Sequence, residues 1–160
     1  MNLFLKIMSV FFLILALGLT VILGLRNIND GSQLDRMEAE LQATLKGSGV
    51  DGNKLLDSVK EGIGAPTLTA GQFTRGGVSV LLLGALILFF TFLTLIGKRK
   101  LLAKTALAML VLSVLSIFLN PHFSSAFGPA SSRILATVGA VLALIGAGLS
   151  LLWSKRTQTV

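Results

Sequence analysis

The acidic residues near the middle of the chain are the first place where this sequence offers groups that could do chemistry. The run Asp51-Gly52-Asn53, with Asp57 and Glu61, supplies the carboxylate and amide oxygens that calcium prefers. In an EF-hand loop, however, the positions of the third ligand and of the glycine would fall on Leu55 and Leu56. Because the spacing fails there, we interpret these carboxylates as helix caps and solvated side chains, and we predict no metal site.

Other reactive groups are scarce. The chain has no cysteine, and its single histidine, His122, lies between Pro121 and Phe123 in a loop, so a multi-histidine haem or zinc site is excluded. No phosphate-binding glycine motif is present, and no carboxylate lies in the long apolar segments, where a proton-coupled carrier usually has one. The sequence therefore predicts a protein without enzymatic activity or a cofactor.

The composition indicates a membrane protein. Of the 160 residues, 53% are hydrophobic and 13% are charged, and the mean hydropathy is +0.84. An average soluble domain carries roughly 25% charged residues, which it needs to cover its surface. The net charge of +7 could point to nucleic acid, but no basic face is interleaved with aromatic residues. We therefore predict contact with a lipid bilayer and no nucleic-acid partner.

Four apolar segments are long enough to cross a bilayer, since a spanning helix needs about 20 residues. The sequence predicts an all-α integral membrane four-helix bundle with spans in 1–25, 76–97, 98–120 (a basic turn and the third helix) and 134–153. The first apolar run is longer than a signal-peptide core of about 7 to 15 residues and lacks a cleavage motif, so an uncleaved helix is favoured over a secretory signal.

The connection 26–75 is polar and rich in glycine, and it is predicted to be an external, periplasmic loop with two amphipathic helices. Ser32 and Asp35 resemble a capping box that begins the first helix, and Gly47 would end it. Two interpretations of this helical hairpin remain open. Its apolar stripes could pack against each other or against the ends of the spans, or they could bind a partner protein. The two stripes consist of Leu34, Met37, Leu41 and Leu45, and of Leu55, Leu56, Val59 and Ile63.

A second external loop, 121–133, contains two prolines and two phenylalanines and is typical of a segment at the membrane interface.

The fourth span carries a broad stripe of small residues on one side of the helix. Lipid offers helices no hydrophobic reason to associate, so close packing depends on such residues. The stripe is predicted to be a helix-packing interface, either within the chain or with another subunit. Its members are Ala136, Gly139, Ala140, Ala143, Gly146, Ala147 and Ser150.

The distribution of charge predicts the orientation. All seven acidic residues lie in the predicted external connection, from Asp30 to Glu61. The basic residues at the opposite ends of the spans are concentrated in very short segments. By the positive-inside rule we expect both termini, and the tail 154–160, in the cytoplasm of a bacterium whose inner membrane the protein spans. The predicted topology anchors are Lys6, Lys98, Arg99, Lys100, Lys104, Trp153, Lys155 and Arg156.

These features favour a non-enzymatic subunit or accessory protein of a membrane complex. It would act through helix packing and its external loop, with a protein partner or with further copies of itself. Two alternatives remain open at this point: an oligomeric channel or small-solute transporter, and a membrane immunity or envelope-sensor protein.

Overall fold

Four long helices make up nearly all of the structure, a computed structural model that describes residues 2–46, 53–55, 57–58, 69–121 and 132–156. They are α1 (Asn2–Leu45), α2 (Ala70–Ile96), α3 (Arg99–Leu119) and α4 (Ser132–Arg156). Residues 53–55 and 57–58 are also helical, and no strand occurs in the described ranges. Each long helix is apolar and long enough to cross a bilayer, so the chain is a multi-pass membrane protein.

The first helix is far longer than the sequence predicts. α1 runs without interruption from Asn2 to Leu45, a length of about 65 Å at about 1.5 Å per residue. The helix start predicted at Ser32 is therefore wrong, because Ser32 lies in the interior of α1. The first span and the first amphipathic helix are parts of one rod.

Gly31 explains why the expected break is absent. A Cβ atom at this position would lie 2.9 Å from Thr74 Oγ1 and 3.0 Å from the carbonyl oxygen of Ala70. The glycine therefore lets α2 approach α1 closely. A glycine inside a helix costs roughly 1 kcal/mol relative to alanine, and the van der Waals attraction between two closely packed helices offsets that cost.

α2 has clear signals at both ends. Thr69 precedes it in an extended conformation, and its hydroxyl accepts a hydrogen bond of 3.3 Å from the backbone N–H of Gln72. At the other end Gly97 adopts a left-handed conformation with φ of +80° and donates its N–H to Leu93 O. The helix begins earlier than the predicted boundary at residue 76, because Gly76 and Gly77 are contact positions inside it.

α3 begins directly after the turn and ends at a proline. The turn that joins it to α2 consists of Gly97 and Lys98, so these two helices are antiparallel neighbours. At the far end Asn120 is extended, with ψ of 137°, as expected for a residue that precedes a proline.

α1 and α3 have the same two neighbours in the bundle. Each of them packs against α2 and α4, whereas the backbones of α1 and α3 lie farther apart within the described residues. The largest fully buried side chains include Phe90, Leu13, Leu83, Ile87 and Met109. At most half of each apolar stretch is buried inside the chain, which leaves broad apolar faces for lipid.

Substitution of Gly77 tests the close approach of α1 and α2. A Cβ atom there would lie 2.8 Å from Gly24 O and 2.8 Å from Ile28 Cγ1. We expect Gly77→Leu to lower the free energy of unfolding in detergent by about 1–3 kcal/mol or more, because the helices must move apart. Gly18→Leu is the matched control, since a Cβ atom at Gly18 meets nothing within 4 Å. Equal stability of the two variants would contradict the proposed contact.

Candidate functional site

The small-residue stripe of α4 lies inside the chain. All seven of its residues are buried. A Cβ atom at Gly146 would lie 2.7 Å from Leu13 Cγ, and one at Gly139 would lie 3.3 Å from Thr20 Cγ2, so α1 covers this face. The stripe is thus occupied by packing within the chain.

Hydroxyl groups join the helices around this stripe. Ser9 Oγ on α1 donates a hydrogen bond of 2.7 Å to Gly146 O on α4. Thr94 Oγ1 on α2 and Ser150 Oγ on α4 lie 2.8 Å apart and form a buried hydrogen bond. Because water is absent from the bilayer core, such bonds satisfy polar groups that would otherwise be costly to bury.

The predicted anchors gather at one end of the molecule. Lys6 Nζ donates a hydrogen bond of 3.2 Å to Leu95 O and lies 5.1 Å from the centre of the Trp153 ring, which brings the start of α1 to the ends of α2 and α4. The side chains of Lys98, Lys100, Lys104 and Lys155 are exposed. Arg99 and Arg156 lie in helices, and their side chains are outside the described part of the chain.

A buried polar cluster, which we call the outer junction, lies at the opposite end and consists of Asn27, Asn120 and Ser132. Asn27 Nδ2 donates a hydrogen bond of 2.5 Å to Asn120 Oδ1, and Asn27 Oδ1 accepts one of 2.9 Å from Ser132 Oγ. Each amide is completely buried, and Ser132 is nearly so. The junction therefore ties α1 to the end of α3 and to the start of α4.

α2 and the backbone of α3 complete the outer junction. A Cβ atom at Gly76 would lie 2.9 Å from Asn120 Oδ1, so only a glycine leaves room for this amide. Asn120 Nδ2 donates a hydrogen bond of 2.6 Å to Ser116 O, and Arg133 Nε donates one of 3.2 Å to Asn120 O. All four helices consequently meet at one buried amide.

The sequence pattern does not predict this junction. Asn120 is only the last residue of the range predicted for the third span (98–120), and neither Asn27 nor Ser132 has a predicted role. A usable signal was present, because these polar residues end or begin three spans on the same predicted side of the membrane. Which amide would turn inward depends on the rotation of each helix, which the sequence pattern does not specify.

From the level of the outer junction onward, α1 continues as what we call the arm, residues 26–45. Leu34 is buried against Ala70 and Phe73 of α2. From Asp35 onward the arm extends for about three turns beyond the start of α2. The first part of the arm thus packs against α2, and its last three turns extend past the start of α2.

The predicted partner-binding residues have different surroundings along the arm. Met37 is 57% exposed, whereas Leu41 and Leu45 are partly buried. Leu55 is 43% exposed. The remaining members of the second stripe, Leu56, Val59 and Ile63, lie outside the described residues. Gln42 Nε2 donates a hydrogen bond of 3.0 Å to Asn53 Oδ1, which places Asn53 against the arm.

Charge at the base of the arm is largely balanced. Arg26 Nε lies 3.6 Å from Asp30 Oδ2, one helical turn away and outside the apolar span. Burial raises the pKa of the Asp30 carboxyl above its usual value, and the guanidinium of Arg26 partly opposes this. A cavity of about 20 Å³ beside Asp30 and Met37 has room for about one water molecule and not for a larger ligand.

Metal ligands do not converge in the described ranges. No group of three or more His, Cys, Asp or Glu residues is close enough there to hold a metal ion. Asp51, Glu61 and His122 lie outside those ranges.

The outer junction yields a test by double substitution. We expect Asn27→Ala to lower the free energy of unfolding in detergent by about 1–2 kcal/mol, because two bonds between helices are lost and Asn120 is left partly unsatisfied. Asn120→Ala should behave similarly, and the double variant should cost less than the sum of the two. Asn29→Ala is the control, since Asn29 is exposed on the same helix. Additive effects of the two junction substitutions would contradict the direct bond.

Comparison with known proteins finds no match for this chain. No protein-family model, no curated protein and no solved structure matches it. A function for this chain therefore has to be argued from its own geometry, burial and charge.

Proposed function

We propose that this protein is a non-enzymatic subunit or accessory protein of a membrane complex, which recognises a partner through the arm. The observation that carries the proposal is the form of α1. It is one helix that crosses the apolar region and continues about three turns past the start of α2, with Met37 more than half exposed.

The interior of the chain supports this assignment. The four helices pack as an integral membrane bundle in this proposal, with the stripe of α4 used for internal packing. Glycines at positions 24, 77, 139 and 146 leave no room for a Cβ atom without a shift of neighbouring atoms. Contacts with a partner would therefore use outward surfaces, and among the described residues the arm is one that lies beyond the apolar region in this proposal.

The mounting of the arm suits recognition. Gly31 holds it against α2, and Leu34 is buried on Ala70 and Phe73. The outer junction fixes α1 below these contacts through Asn27. A surface that is held rigidly loses little conformational entropy when it binds, which favours affinity. The apolar residues Met37, Leu41 and Leu45 would supply an anchor of the kind used when a helix docks into a groove.

Orientation follows from the charges in this proposal. The end that carries Lys6, Lys98, Lys100, Lys104 and Lys155 faces the cytoplasm of a bacterial cell, so both termini are inside and the arm lies in the periplasm. The catalytic groups that an enzyme would need are scarce, and the sequence places no carboxylate in the apolar segments.

One experiment tests the orientation and the partner together. The chain has no cysteine, so a single cysteine can be introduced by Met37→Cys or Leu41→Cys and treated with a membrane-impermeant, thiol-reactive photo-cross-linker on intact spheroplasts. We expect modification from outside, followed by a discrete cross-linked product upon illumination. Ala43→Cys, on the opposite side of the arm, should be modified without giving that product.

Lys98→Cys completes the design, since this position should react only after the membrane is opened. Modification of Lys98→Cys alone in intact spheroplasts would reverse the proposed orientation. Modification of the arm without a product that depends on its apolar face would contradict the recognition function.

A further inference from the structure

A groove lies between α3 and α4 at the basic end of the molecule. It has a volume of about 640 Å³. Lys100 and Ala103 form the α3 side, and Gly148, Leu151, Leu152 and Lys155 form the α4 side. The groove is separate from the outer junction and the arm, which lie at the other end of the helices.

Small residues create this groove. Gly148 has no side chain, and a Cβ atom built there would meet nothing within 4 Å. Gly148 lies on the opposite side of α4 from the buried small-residue stripe, so internal packing does not explain its size. On the α3 side of the groove, Ala103 has only a small side chain. Leu151 and Leu152 make the α4 side of the groove apolar.

The charged side chains around the groove are basic. Lys100 and Lys155 stand at its edge, and Lys98 and Lys104 are exposed nearby on the connection and on α3. No aspartate or glutamate precedes Asp30 or follows Glu61 in the sequence. The helix ends that surround the groove therefore carry no acidic side chain to neutralise these lysines, so their charge is available to an anionic group from outside.

We propose that the groove binds one anionic phospholipid. Its phosphate would lie between the ammonium groups of Lys100 and Lys155, and an acyl chain would follow Leu151 and Leu152 to Gly148. Basic pockets between transmembrane helices bind lipid headgroups in this way. Lys155 and Gly148 are separated by about 10 Å along the helix axis, which matches the step from headgroup to upper acyl chain.

The apolar floor favours a lipid over an acidic peptide. A peptide backbone in the groove would bury N–H and C=O groups against Gly148 and the two leucines, where unpaired polar groups are costly. An acyl chain needs no such partners. The combination of a charged edge and an apolar floor thus corresponds to the two parts of a phospholipid.

Native mass spectrometry of the purified full-length protein tests the proposal. The protein, in a neutral detergent, is titrated with palmitoyl-oleoyl phosphatidylglycerol and, separately, with the phosphatidylcholine of the same chains. We expect one saturable phosphatidylglycerol adduct that phosphatidylcholine does not replace at equal concentration. Lys100→Gln with Lys155→Gln should weaken its binding by about 25-fold, given a contribution of about fivefold for each lysine. Lys46→Gln with Lys54→Gln is the matched control, because these exposed lysines lie outside the basic end.

Two further arms separate the groove from general surface charge. Gly148→Leu fills the groove without altering charge, and the open space at this position lets the protein fold. It should abolish the saturable adduct while leaving helical content unchanged by circular dichroism. Glycerol phosphate, the headgroup chemistry without chains, should not displace the lipid at equal concentration.

Retention of the adduct in the double lysine variant, or in Gly148→Leu, would overturn the proposal. Displacement by glycerol phosphate would show that a free phosphate occupies the site and not a lipid. A co-purifying polypeptide that disappears specifically in the double lysine variant would assign the groove to an acidic protein partner.

Discussion

Close approach of α1 to its two neighbours is the constraint on which the rest of the structure depends. Lipid does not drive helices together, so backbone contact must be made attractive by small residues and by hydrogen bonds across the interface. Gly77 of α2 packs against the backbone of Gly24 in α1. Gly146 of α4 packs against Leu13 and the backbone of Ser9, which also belong to α1. α1 is therefore held in place by two neighbouring helices, α2 and α4.

Hydrogen bonds close this packing at both ends. Near the basic end, Ser9 reaches Gly146 O and Lys6 reaches Leu95 O. At the other end, Asn27 joins Asn120 and Ser132. Within the described residues, Ser113 Oγ is the buried side-chain polar atom without a partner, so nearly all the polar groups brought into the apolar region are satisfied. The arm extends directly from the outer of these two fixed ends.

The sequence predicted the parts of the fold that depend on apolar length and missed those that depend on shape. Charge-free runs of about 20 residues identify spans because each backbone group in lipid must be bonded within its own helix. The structural role of a glycine is harder to predict from the sequence. Gly97 does end a helix, whereas Gly31 and Gly76, at a predicted break and a predicted boundary, are contact points inside helices. Their role depends on which neighbour approaches, and a single sequence does not contain that information. The small stripe of α4 is predictable as a packing surface, but the pattern does not specify that α1 is the helix that covers it.

A distance along α1 tests the central claim, that one rigid helix passes from the apolar region into the arm. Gly18→Cys and Ala43→Cys introduce two labelling sites on exposed positions, nearly on the same side of the helix, into a chain without other cysteines. Double electron–electron resonance between spin labels at these sites should give a narrow distribution centred at about 38 Å. A broad distribution, or one centred well below that distance, would show a break near Gly31 and would contradict the account.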